Sequence, residues 1–433
     1  MRLLHISDVH FHAADHGWDE DADQRAQLVA DVRADSEANG AFDALLFGGD
    51  IAFSALPEEY SLATQWLDQL VAAGGLEGRH RVFTVPGNHD VDRKIIRASQ
   101  SLQDFRTALA SAKTPALDEA LRTRMSSDPA AAPVFAHLAA YNTFAEQFVC
   151  GVTPNKPAWS FPDFTLDGWR VRLVGLTSVI NCGPENETAE PGQQSLVLGT
   201  QQCRMPRDEA DVTIVMMHHP PEWIRDWHRV RPHLSRAHLW LFGHEHAFGA
   251  RQDTANGTVE IRAGAVAPER DTHGESAPYL PAFNFIDLHR VDDHLGVTVK
   301  ARVWDIERTR FLARDALLYE ISLDPLGQTN IVASDSTSAS DESMSASPLS
   351  LSAEPQDGGT DIASTPAENN LDLRKVAIQY MALPTNRRIS IARGIGALDD
   401  EDLTIPPTEL YPILLRRIAE RGSISDLMKE LAK

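Results

Sequence analysis

Five apolar runs in this chain each end in a short cluster of Asp, Asn or His. LLHIS leads to Asp8-Val9-His10, ALLF to Gly48-Gly49-Asp50, and RVFTVP to Gly87-Asn88-His89-Asp90. Further along, VTIVMM leads to His218-His219-Pro220 and HLWLF to Gly243-His244-Glu245-His246. A sixth cluster, Ile261-Arg262-Ala263-Gly264-Ala265, carries no ligand-type residue. Runs this continuous and partly β-branched read as strands buried on both faces, which predicts an α/β fold. The polar clusters then fall in loops just past the carboxyl ends of strands, the edge where open α/β sheets build their sites. Carboxylate, amide and imidazole together suit two hard-to-borderline cations sharing a bridging oxygen. Paired cations of that kind cleave phosphate esters. Any one of these histidines would alone be an ordinary surface or core residue, and an Asp after Gly-Gly a common turn residue. The information lies in the set.

The order D-x-H, G-G-D, G-N-H-D, H-H-P, G-H-E-H resembles that of the calcineurin-like metallophosphoesterases over about residues 1–305. The resemblance implies two facing sheets with flanking helices and two divalent metal ions, manganese, iron or zinc. It implies that Asp8, His10 and His246 hold one metal, that Asn88, His218 and His244 hold the other, and that Asp50 bridges them. The ligand falls two residues before Pro220, at His218, which leaves His219 to packing or support. His89 would face the scissile phosphate without binding metal, and Asn88 would also donate to a phosphate oxygen. A bridging carboxylate keeps two cations close despite their repulsion. A water shared by both would supply hydroxide near neutral pH for in-line attack, with His89 as general acid for the leaving alkoxide. The expected reaction is phosphodiester hydrolysis of a nucleotide or short nucleic acid. Phosphomonoester or phosphoprotein hydrolysis is the alternative within the class. A ligand-sensing scaffold with incidental turnover is the alternative outside it. Among the neighbours, His12 is expected in a loop and Glu245 pointing away from the metals. Asp90 is expected either to orient His89 or to cap the helix of VDRKIIRASQ.

Composition bounds the rest. A chain of 433 residues has room for a large core and more than one domain. A net charge of −22 disfavours general binding of long nucleic acid, whose phosphates need Lys and Arg. No apolar run is long enough to span a bilayer, so no membrane partner is expected. The first cluster begins at residue 8, so a cleaved signal peptide would remove it. Three widely spaced cysteines, Cys150, Cys182 and Cys203, suggest neither a disulfide framework nor a zinc ribbon. The chain reads as cytoplasmic.

Along the chain, residues 1–332 read as the phosphoesterase unit, opening β-α-β-α-β with helices over 20–38 and 57–73. An Ala-rich helical insertion over 93–150 follows the GNHD loop and is expected as a cap or a peripheral layer. A hairpin over 159–177 turns at Asp167-Gly168, and a helix is expected around 192–206. The segment 221–237, with Trp223, Trp227 and several arginines, lies between two ligand loops and is either a pocket wall or, for most of its residues, a solvated helix with a packed Trp. Strands near 258–265, 282–289 and 296–305 are expected to complete a second sheet. Residues 333–370 are rich in Ser, Asp, Glu, Pro and Gly and read as an acidic, flexible linker. Residues 371–433 regain helical periodicity and form a small all-α bundle with no reactive constellation. The pattern MALPTNRRISIARGIGAL, DDEDL, LYPILLRRIAERGSISDLMKEL resembles the bacterial effector-associated domains, death-domain-like adaptors of conflict and signalling systems. That resemblance implies a protein partner carrying a like module. The long linker suits a bundle standing clear of the enzyme; the alternative is a generic C-terminal bundle that packs back on it.

Overall fold

The computed structural model of this chain describes residues 1–13, 19, 21–125, 129–183, 187–205, 210–253, 257–268, 279–323, 367–399, 402, 405 and 407–432. The expected linker therefore lies outside the described residues, except that 367–370 already belong to a helix.

The opening follows the predicted order: β1 (Arg2–Ile6), α1 (Ala22–Asn39), β2 (Ala44–Phe47), α2 (Pro57–Ala73) and β3 (Val82–Thr84). Pro57 starts α2 at the one helical turn that needs no amide donor, and the Glu59 carboxylate accepts from the amides of Ser54 and Leu56 at 2.9 and 3.1 Å. The insertion is helical, as its period indicates: α3 (Arg93–Ala98), α4 (Gln100–Ser111), α5 (Thr114–Met125), a 3-10 stretch over Pro129–Leu138 and α6 (Ala139–Ala145). The hairpin β4 (Ala158–Leu166) and β5 (Trp169–Leu176) turns where expected. Asp167 and Gly168 both have positive φ, 48° and 88°, as a two-residue turn demands. The helix expected over 192–206 shrinks to α7 (Thr200–Cys203). Gly199, at φ 73°, breaks any run into it, and the Gln202 side chain is drawn off to the Thr177 backbone. Next come β6 (Val212–Met217), the short α8 (Trp227–Val230), β7 (Leu239–Phe242), β8 (Phe248–Asp253), β9 (Thr258–Ala263), β10 (Ala282–Val291), β11 (His294–Asp305), β12 (Arg310–Ala313) and β13 (Leu317–Ser322).

The strands form two mixed sheets, ordered β12-β11-β10-β1-β2-β3, with β13 also on β11, and β4-β5-β6-β7-β9-β8. The expected assignment of 282–289 and 296–305 to the second sheet is corrected. Only β9 joins it, while β10 pairs antiparallel with β1, Leu3 opposite Ile286, and brings β11 with it. The physical gain is that β1 loses an exposed edge. Within the parallel sets the strands end level. Ile6 lies opposite Phe47 and Phe47 opposite Thr84; Met217 lies opposite Phe242 and Phe242 opposite Arg262. One apolar core joins both sheets. At one end, Phe83 of β3 packs against Trp159, Phe161 and Phe164 of β4, and the Trp159 indole donates to the Thr84 carbonyl at 2.9 Å.

The C-terminal bundle, α9 (Ala367–Met381), α10 (Thr385–Gly394), α11 (Pro407–Glu420) and α12 (Ile424–Leu431), has its own core around Tyr380, Ile391, Leu414, Ile418 and Leu427. Pro384, rather than a Thr385 or Asn386 side chain, holds the cap position of α10. The bundle does not stand clear of the enzyme. Arg374 of α9 is 4% exposed and inserts against β3 and β4. Its guanidinium donates to the carbonyls of His80, Val82 and Phe148, the last two at 2.8 and 2.7 Å, and covers the rings of Phe83 and Phe161. Lys375 reaches Glu77 at 2.6 Å. The strand β3 is a sheet edge, and Arg374 supplies a donor to its Val82 carbonyl and to the carbonyls of His80 and Phe148 in the flanking turns. Among the described residues no helix is long and apolar enough to cross a membrane, and the three cysteines are buried and unpaired.

Candidate metal centre

Level strand ends put the polar clusters of both sheets on one edge. From the first sheet come Asp8, His10, Asp50, Asn88 and His89; from the second, His218, His244 and His246. Asp50 Oδ2 lies 3.4 Å from His10 Nε2 and 3.2 Å from His218 Nε2. Asn88 Oδ1 lies 3.0 Å from both His218 Nε2 and His244 Nδ1. Asp8 Oδ1 lies 3.5 Å from His246 Nε2, and Asp8 Oδ2 accepts from the His244 amide at 3.1 Å. His89 stands at the rim, its ring 4.8 Å from that of His10 and its Nδ1 2.8 Å from the Phe53 carbonyl. An open cleft of about 430 Å³ runs over Asp50, Asn88, His89, His244 and His246.

The backbone is bent to achieve this. Asp8, His10, Asp50, His244 and His246 all have φ between 49° and 70°. Left-handed backbone at non-glycine residues costs energy and gathers at functional sites; here it aims side chains that regular strands would alternate between faces. The motif glycines make room. A Cβ on Gly87 would lie 2.1 Å from Asp50 Oδ1, and one on Gly243 would lie 2.1 Å from Ser7 Oγ and 2.9 Å from Asp8 Oδ2.

The proton inventory tests whether cations fit. His10 Nδ1 and His218 Nδ1 sit 2.9 and 2.8 Å from the carbonyls of Ala267 and Gly48. A carbonyl only accepts, so both Nδ1 atoms carry protons and the neutral rings present bare Nε2 lone pairs to Asp50. Lone pair facing carboxylate is repulsive unless a cation or a proton lies between. Asp8 Oδ1, fully buried, has only the distant His246 Nε2 near it, at 3.5 Å. In the protein alone, protons fill the gap. Burial opposes charge on His218, yet Asp50 and Asp8 push it up to about 10. Burial likewise opposes ionisation of Asp50, but His218 and His89 hold it well below the carboxylate range. Burial and the neighbouring His218 hold His244 down to about 3, so it stays a neutral donor of lone pairs. Carbonyl-oriented imidazoles around carboxylates are what metal sites use, and the residues fit two divalent ions.

The other expectations divide. Glu245 points away, into Arg262 and the Trp223 indole. His12 is exposed and lies on Phe53 at 4.1 Å, away from the cluster. Asp90 neither orients the His89 ring nor caps α3, whose cap is Asp92. It is buried and accepts from the amides of Ile51, Ala52 and Gly87 and from the Tyr60 hydroxyl, tying the Asp50 loop to the GNHD loop. His219 is fully buried against His244, its Nδ1 2.9 Å from Ser178 Oγ. In segment 221–237 Trp223 does line the cleft, edge-on to His244. The arginines do not: Arg225 donates to Leu109 and Ala110, and Arg229 and Arg231 pair with Asp118 and Asp253. Two lining residues went unread in sequence, Arg93 and Glu187. Arg93 had a signal, a cation directly after the GNHD loop; Glu187, in a stretch without periodicity, had none.

The chain belongs to the calcineurin-like phosphoesterase family, whose pattern matches residues 1–248. Members of that family use two metals, and the clustered Asp and His side chains here are candidates to hold them. Glycerophosphodiester phosphodiesterase GpdQ of Enterobacter lignolyticus is 34% identical over 93 residues, a stretch covering 21% of this chain and 30% of that relative's length. Among solved structures, a purple acid phosphatase of yellow lupin aligns at 14% identity and TM-score 0.40, over 77% of this chain and 57% of that one. A putative 5'-nucleotidase of Staphylococcus aureus aligns at 14% identity and TM-score 0.32, over 76% and 56%.

Proposed function

We propose that the chain hydrolyses phosphodiesters of the nucleotide or short-oligonucleotide class, with Asp8, His10 and His246 holding one metal, Asn88, His218 and His244 the other, and Asp50 shared. The observation that carries the metal assignment is the pair of imidazole Nε2 atoms, of His10 and His218, turned onto one buried carboxylate oxygen of Asp50. Two bound divalent ions would supply a reactive water at neutral pH and positive charge for the phosphoryl oxygens. The chain's residues do the rest. The Asn88 amide can bind metal through oxygen and present its N–H to a phosphate oxygen. His89, with Nδ1 committed to the Phe53 carbonyl, would deliver a proton to the leaving oxygen through Nε2. Arg93 at the cleft supports an anionic substrate. The diester preference is supported by the partial match to a glycerophosphodiester phosphodiesterase and by a proton donor suited to alkoxide leaving groups. The metals are of the manganese, iron or zinc class, as mixed oxygen and nitrogen ligation allows. The buried, unpaired cysteines support a reducing, cytoplasmic setting.

Asp50→Ala should lose both metals and hydrolysis together, measured by metal analysis and by turnover on a panel of nucleotide diesters and monoesters. Two metals per chain with near-normal turnover in that variant would refute the assignment. A wild-type panel in which monoesters turn over faster than every diester would move the reading to a phosphatase.

The C-terminal bundle is, on this reading, an effector-associated module that recruits the enzyme to a partner with a like module. Its separate core supports that. Its charges add little, because Arg417 pairs with Asp402 within the bundle. Met428, 47% exposed on α12, is the better contact candidate. Met428→Asp should abolish co-purification with such a partner and leave hydrolysis unchanged; retained association would exclude this face.

A further inference from the structure

We propose that Cys182, Glu187 and His219 form a third metal site, of the zinc class, in the wall of the cleft beside the paired centre. One ligand atom from each lies within 4.8 Å of the other two. Cys182 is 1% exposed in the turn after β5, and its sulfur lies 2.9 Å from Glu187 Oε1. His219 is fully buried. Its Nδ1 lies 2.9 Å from Ser178 Oγ, which also accepts from the His219 amide at 3.2 Å. Its Nε2 has no hydrogen-bond partner. A sealed imidazole nitrogen without a partner is a cost that structures rarely leave standing, and a cation held among the imidazole, the thiol and the carboxylate answers it.

The ligand types point to one kind of ion. Thiolate with imidazole and carboxylate is softer than the paired centre, which has no sulfur, and selects zinc over manganese or magnesium. The hydroxyl of Ser178 at Nδ1 is the supporting contact that fixes a ligating imidazole. Three protein ligands leave a fourth position open, and Glu187 lines the cleft. Binding is a simple exchange: the thiol proton leaves to solvent and the cation takes its place. None of the three residues is assigned to the paired set, although His219 packs against its members His218 and His244, so the variants below are chosen to tell the two sites apart.

The test uses the full chain, stripped with chelator and refilled with cobalt(II), read by metal content and near-ultraviolet absorption. The expected result is about three cobalt ions per chain and a thiolate-to-cobalt charge-transfer band. Cys182→Ser should drop to two ions and lose the band. Asp50→Ala should lose the pair yet keep the band, so failure of the paired centre and failure of this site read out differently. Glu187→Gln alters the least buried of the three ligands; it should keep the fold and weaken the band at limiting cobalt by roughly tenfold in affinity. Wild-type protein with two ions and no band overturns the proposal. So does a band that survives Cys182→Ser. Should that variant not fold, an unchanged band and affinity in Glu187→Gln overturns it.

Discussion

At the scale of single residues, function rests on atoms whose neighbours were chosen for size as much as for charge. Gly87 is the clearest case: any side chain there drives into Asp50. Gly87→Ala should therefore reduce metal content and turnover together, although no ligand has been changed; full metal occupancy in that variant would show that the loop can yield. His89 gives the opposite signature. His89→Ala should keep its metals and lose roughly a hundredfold in turnover, the scale of a missing general acid. The deficit should shrink on a nitrophenyl ester, whose leaving group needs no proton; equal loss on both substrates would mean that His89 positions phosphate instead. The positions of the proposed ligands were legible in sequence because each follows an apolar strand. What was not legible is how they are aimed, since the left-handed conformations of Asp8, His10 and His246 leave no mark in residue type. Asp90 shows the same limit. An acid after His reads as its partner or as a cap, but only the fold reveals three amides waiting for its carboxylate.

At the scale of elements, parallel strands read well because burial on both faces forces continuous apolar runs. Antiparallel additions read poorly. The sequence of β10 alternates only in part and says nothing of which sheet it joins, and β8, β12 and β13 carry half-exposed patterns that no run marks out. The docking of α9 was invisible for a different reason: its most buried contact is one arginine, whose acceptors are backbone carbonyls, which have no sequence signature. Arg374→Ala should cost about 3 kcal/mol, the scale for several bonds to a buried charged group, read as a lower denaturation midpoint; an unchanged midpoint would mean that the bundle is free in solution. The same contact carries a pH signature. Glu146 lies beneath the bundle, and burial raises its carboxyl to about 7 from 4.5, with Arg388 opposing. From about 4.5 upward the unfolded chain gives up this proton while the folded chain keeps it. Stability should thus fall as pH rises from about 4.5 to about 7 and then level off. Glu146→Gln should remove that slope, melting higher than wild type at pH 8 but not at pH 5; parallel midpoints at both would rule out the buried carboxyl as its source.

At the scale of the whole molecule, two sheets meet along one edge and neither owns the site. Asp8, His10, Asp50 and Asn88 belong to one layer, and His218, His244 and His246 to the other. An ion held by both layers binds the folded chain and not the unfolded one. At a thousandfold excess over its dissociation constant that linkage amounts to about 4 kcal/mol. Chelation should therefore lower the melting temperature as well as stop hydrolysis, and manganese should restore both; a melt indifferent to chelator would mean that the sheets hold the pocket rigid unaided. The level strand ends that gather the ligands thus acquire a mechanical meaning. Ions held there would sit where the two layers would first part, as rivets along a seam, and a cell short of metal would then find this protein easier to unfold and degrade, not merely idle.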